Sequence, residues 1–154
     1  MTTILKKEQY ILIYRASYFP IVVILYALYK QHYDNAILLT CVCATSINYW
    51  RYPTYSWRRY LDMAVVKSSL IYQLYYSYNA QYATLYYTLT GIGVFCYPIG
   101  MYYYTKGDWW ASTYSHLILH VFANICNIVL YSGYITPQSE QYSHRPYFAG
   151  SPHS

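Results

Sequence analysis

The run ASTYSHLILHVFANICNIVLYSGY, residues 111–134, limits the fold more than any other stretch. It is long enough to cross a bilayer as one helix, yet it carries a line of polar side chains. At about 100° per residue, Ser112, His116, His120, Ala123 and Asn127 fall on one stripe with Asn124 beside it, while Leu117, Ile118, Val121, Phe122 and Ile125 cover the rest. Imidazole and amide groups are too costly in hydrocarbon to face lipid, so the stripe is expected to point into a bundle. The spacing leaves two roles open. Histidines four apart can grip one metal ion, or each can hydrogen-bond to a neighbouring helix and simply join the bundle.

A chain of 154 residues is one domain by length, and with 56% hydrophobic and only 10% charged residues it lies far from the roughly 25% charged of a soluble domain. It reads as an integral, multi-pass membrane protein with membrane lipids as its surroundings. The mean hydropathy is only +0.09 because the 26 tyrosines score as mildly polar. Tyrosine is amphipathic and favours the membrane interface, but this many exceed an interfacial belt, so several are expected to face the bundle. The net charge of +5 comes from basic residues scattered between apolar runs, which argues for membrane topology and against a nucleic-acid partner. Cys41, Cys43, Cys96 and Cys126 all lie within apolar runs and are expected to act as small hydrophobes, without a disulfide or a metal role. The first apolar run is too long, and lacks the small-residue pattern, for a cleavable signal peptide.

In chain order, Tyr10 to Lys30 makes a first span, which Pro20 kinks unless an interfacial turn precedes it. Ala36 to Trp50 makes a short second span, with Tyr33 to Asn35 as its outer turn. Arg51 to Tyr60 is read as a surface loop, and Leu61 to Tyr78 as a third span on which Asp62, Ser69 and Gln73 share a stripe and Lys67 points elsewhere. Ala80 to Tyr104 is a fourth span, where Gly91, Gly93, Pro98 and Gly100 permit a kink and close helix approach. The run at 111–134 is the fifth. The expected architecture is therefore all-α, a transmembrane helix bundle of about five spans over residues 1–134, followed by a polar, disordered tail at 135–154.

The distribution of basic residues sets the expected orientation. A cytoplasmic N terminus places Lys6, Lys7, Arg51, Arg58, Arg59 and Lys106 inside and leaves Lys30 and Arg145 outside, so the positive-inside rule favours N-in and C-out. Ser46, Trp50, Asp62, His116 and His120 then share the cytoplasmic half of the membrane. Arg58 and Arg59 also stand where a lipid phosphate could be held, although anchoring accounts for them equally well.

The order Ser46, then Asp62 at the next helix entrance, then His116-x-x-x-His120 in the last helix resembles the CREST superfamily of intramembrane hydrolases, which includes alkaline ceramidases and the progestin and adipoQ receptors. The resemblance implies a zinc ion held by His116 and His120, catalytic roles for Asp62 and Ser46, and a lipid amide or ester as substrate; Asp62 could instead complete the metal site as a third ligand beside the two imidazoles. Where that family has a histidine four residues after the serine, this chain has Trp50, and five spans stand in place of seven. Separately, SINYWRYP followed by WRRYLD looks like small membrane proteins encoded by large DNA viruses of algae, a likeness that carries no activity. Two expectations follow. One is a non-enzymatic membrane scaffold or assembly subunit, and the other is a metal-dependent lipid hydrolase.

Overall fold

The computed structural model describes residues 3–135, whose regular structure is helical apart from one isolated bridge between Ala80 and Ile135. The helices are α1 (Lys7–Ala16), α2 (Pro20–Tyr29), α3 (Tyr33–Trp50), α4 (Trp57–Tyr76), α5 (Ala83–Thr105) and α6 (Trp109–Ser132), with a 3-10 turn at Ser77–Asn79. Two stretches are long and apolar enough to cross a membrane by length and composition: Lys7–Tyr29, with 23 residues, and Trp109–Ser132, with 24. The first comprises α1, α2 and the turn between them. Proline at 20 has no N–H to continue the helical ladder, and the backbone passes it with short-range bonds, Phe19 N–H to Ala16 O at 3.0 Å and Ile21 N–H to Tyr18 O at 3.1 Å.

One boundary differs from the sequence reading. Trp57, Arg58, Arg59 and Tyr60 belong to the first turns of α4 and not to a surface loop. The Arg58 guanidinium donates to Asn48 O at 3.3 Å and Tyr52 O at 3.0 Å, carbonyls around the end of α3 that lack helical partners. A cation there also opposes the negative end of the helix dipole, so the reach-back ties the start of α4 to the end of α3. The chain after α6 also departs from the expected loose tail at its first residue. Gly133 to Ile135 folds against the loop before α5, with Gln81 N–H donating to Tyr134 O at 2.8 Å. The rest of the expected tail lies outside the described residues.

The helices form an open ring. α3 packs between α2 and α4, whereas α6 packs along α5 and also against α1 and α2. α4 and α5 are the two ends of this ring and meet at few points, one being the bond from Tyr87 Oη to Leu74 O at 3.1 Å. Two apolar clusters close the top and bottom of the inner side. Val23, Ala27, Leu39, Leu130 and Tyr131 belong to the cluster near the α2–α3 loop, while Leu5, Ile13, Tyr49 and Trp50 form the one at the arginine-bearing end. Near the first cluster, His32 stands edge-on to Tyr76 and 5.5 Å from the Tyr131 ring. Burial, with help from Lys30 and against a backbone hydrogen bond at Tyr131, lowers its pKa from the ordinary histidine value.

The close contact of α5 and α6 depends on two glycines seven residues apart, which therefore lie on one helix face. A Cβ at Gly93 would stand 3.0 Å from Phe122 Cβ, and one at Gly100 would stand 3.3 Å from Ser115 Cβ, whereas at Gly91 it would meet nothing within 4 Å. Gly93→Val is therefore expected to force α5 from α6 and destabilise the bundle by about 1–3 kcal/mol. Gly91→Ala should be neutral or slightly stabilising. Denaturant titration of the helical circular dichroism in detergent measures both, and equal midpoints for the two variants would contradict this account.

Candidate functional site

The three buried residues of α4 are Asp62, Ser69 and Gln73, the stripe read from the sequence, while Lys67 is exposed. They face the inner side of the ring. Asp62 Oδ1 accepts from Ser46 Oγ at 2.7 Å and from Thr45 Oγ1 at 3.1 Å. Two neighbouring hydroxyls of α3 thus share one carboxylate oxygen. Charge-assisted hydrogen bonds of this kind stabilise a buried carboxyl group and fix its orientation. Thr45 was not singled out in the sequence. Its position beside Ser46 was visible there, but which of two adjacent α3 side chains reaches α4 depends on how the helices are rotated.

The histidine stripe of α6 faces the same space. An interior cavity of about 230 Å³ is lined by Ser46, Trp50, Asp62, His116, His120 and Asn127 together with apolar side chains of α4 and α5. The sequence-predicted residues do share one cavity, though they do not form one cluster. Asp62 turns towards Ser46 and Thr45. His116 and His120 stand with ring centroids 5.0 Å apart at an interplanar angle of 62°, and the Trp50 indole lies 4.9 Å from the His116 ring. Tyr49 in turn packs edge-on to Trp50 at 4.9 Å, so the indole is held between an aromatic neighbour and the imidazole.

Among the described residues, no three His, Cys, Asp or Glu side chains gather closely enough to hold a metal ion. His116 and His120 can serve as two ligands, and the third protein ligand implied by the CREST resemblance is not assembled beside them. Catalytic zinc sites ordinarily use three protein ligands plus water, so the donors brought together here do not complete that set. Two polar atoms on the cavity-facing helix, His120 Nε2 and Asn127 Oδ1, have no hydrogen-bond partner among the described residues. A buried polar atom left in that state is costly. The Asn124 amide is committed elsewhere, donating to His120 O at 2.6 Å along its own helix.

Compared with family models, curated proteins and solved structures, the chain shows no significant match. The geometry has to carry the functional reading alone. Ser46→Ala removes the shorter of the two bonds to Asp62 and is expected to cost about 1–3 kcal/mol. Thr45→Val should cost less, because its bond is longer. Thermal unfolding in detergent tests the ranking, and a larger loss for Thr45→Val would refute it.

Proposed function

We propose that this chain is a five-pass integral membrane protein, with its N terminus in the cytoplasm and its C terminus on the opposite side, that acts as a non-enzymatic scaffold or subunit of a membrane assembly. The observation that carries the reading is the Trp50 indole against His116, 4.9 Å between ring centroids. An indole offers no lone pair to a metal, and this one packs against the His116 ring.

The remaining support is geometric. At 1.5 Å per residue, α3, α4 and α5, of 18, 20 and 23 residues, are each close to or above the roughly 30 Å of a bilayer core. Lys6, Lys7, Arg51, Arg58, Arg59 and Lys106 flank helix ends on one side of the bundle, where Ile4 N–H also bonds to Pro53 O at 3.0 Å. Lys30 is at the other side. That asymmetry favours the cytoplasmic N terminus. Large side chains such as Ile71, Tyr75, Phe95 and Ile118 are exposed, as lipid-facing or partner-facing helix surfaces require.

A second reading, a metal-dependent hydrolase of lipid amides or esters, is favoured by one fact: Ser46, Asp62, His116 and His120 line the same cavity. Metal analysis of detergent-purified protein separates the two. The scaffold reading expects no stoichiometric zinc in the native chain. Stoichiometric zinc that disappears in His116→Ala/His120→Ala would overturn it in favour of the hydrolase. Topology is tested on its own by accessibility tags at both termini, which should report opposite sides; tags on the same side would refute five passes.

A further inference from the structure

A second cavity, of about 120 Å³, opens at the arginine-bearing end and includes Tyr55, Arg59 and Tyr104 in its lining. Trp50, Asp62, Met63, Tyr97 and His116 line both this cavity and the larger inner one, so the two meet at a shared waist. The adjacent arginines of α4 are used differently. Arg58 spends its guanidinium on the carbonyls at the end of α3. Arg59 has the Tyr55 ring 4.9 Å from its guanidinium carbon and no hydrogen-bond acceptor among the described residues. Asp62, one turn further along α4, does not neutralise it, because Ser46 and Thr45 hold the carboxyl group towards α3. A guanidinium with five donors and no acceptor therefore lines the mouth of a cavity.

The inner cavity has walls of two kinds. Polar groups from α4 (Asp62, Ser69 and Gln73), α5 (Thr90) and α6 (His116, His120 and Asn127) line its interior. The apolar part is a strip where α4 and α5 face each other, with Val66 and Leu70 from α4 and Val94 and Tyr97 from α5. Val66, Val94 and Tyr97 are also exposed, as expected where α4 leans on α3 and leaves a gap before α5. In a bilayer such a gap opens sideways into hydrocarbon.

We infer that the two cavities together take one single-chain amphiphile with an anionic headgroup, carboxylate or phosphate, whose headgroup sits at Arg59 and whose chain lies between α4 and α5. Moving a chain from bilayer into this slot yields little hydrophobic gain, since lipid tails are as apolar as the slot. Discrimination rests on the headgroup. Arginine pairs with carboxylate and phosphate oxygens through two parallel N–H bonds, and a basic group at the membrane surface already concentrates anionic headgroups around it. This ligand site is independent of whether the histidines bind a metal, and it adds an occupant to the scaffold reading without requiring turnover.

Trp50 at the waist provides the reporter. In a Trp57→Phe/Trp109→Phe/Trp110→Phe background it is the only tryptophan, and the three replaced side chains are exposed. Fluorescence is followed in neutral-lipid nanodiscs during addition of 9,10-dibromostearate, its methyl ester, or inorganic phosphate with dibromostearate present. The expected result is saturable quenching by the acid and only proportional, non-saturating quenching by the ester. Arg59→Gln should weaken the acid roughly tenfold, and Arg59→Lys should retain most of the affinity. Unchanged circular dichroism establishes that the variants are folded. The inference is overturned if acid and ester quench alike, if Arg59→Gln leaves the acid curve unmoved, or if millimolar phosphate displaces the acid, which would mark a free-anion site instead.

Discussion

A carboxyl group inside a low-dielectric bundle must be satisfied by whatever helix stands next to it, and Asp62 is satisfied by α3. The two hydroxyls on its Oδ1 and the reach-back of Arg58 to the end of α3 draw α4 to the same partner from two places. Further along α4, Gln73 Nε2 donates to Tyr131 Oη of α6 at 3.0 Å and Leu74 O accepts from Tyr87 Oη of α5 at 3.1 Å, while the ring otherwise stays open between α4 and α5.

Trp50 divides what this arrangement can do. Its indole packs on His116, backs onto Tyr49 and lines both cavities, so it acts as the waist between the mouth and the interior. An imidazole in its place would bring a third nitrogen to the histidine pair. With an indole there, the same position contributes packing area and a ring face but no metal-binding lone pair. On the α6 wall, His120 Nε2 and Asn127 Oδ1 have no hydrogen-bond partner among the described residues.

The periodicities were readable from residues alone. Asp62, Ser69 and Gln73 repeat at helical spacing, and they are the buried residues of α4. Gly91, Gly93 and Gly100 were read together as permitting a close helix approach, and α5 and α6 do meet at Gly93 and Gly100 though not at Gly91. The start of α4 was not readable, because Arg51 to Tyr60 has the composition of a surface loop and only its last four residues, Trp57 to Tyr60, are helical. The histidine stripe was placed on an inward face, yet its neighbours could not be assigned: that required knowing that α6 faces a gap and Asp62 faces α3.

By itself, the sequence determined that the chain is helical and that the Asp62 stripe and the His116 and His120 stripe avoid the outward faces; it counted about five spans, where two stretches of the structure are long and apolar enough to cross a membrane. Each of these follows from spacing along one helix, which is a local property of the backbone. The tertiary structure alone decided that Asp62 pairs with Thr45 and Ser46, that Trp50 packs on His116, and that Arg59 lines a cavity without a hydrogen-bond acceptor among the described residues. Those outcomes depend on the rotation of each helix about its axis and on which neighbours it packs against, and such rotations are set by contacts between residues distant in the chain.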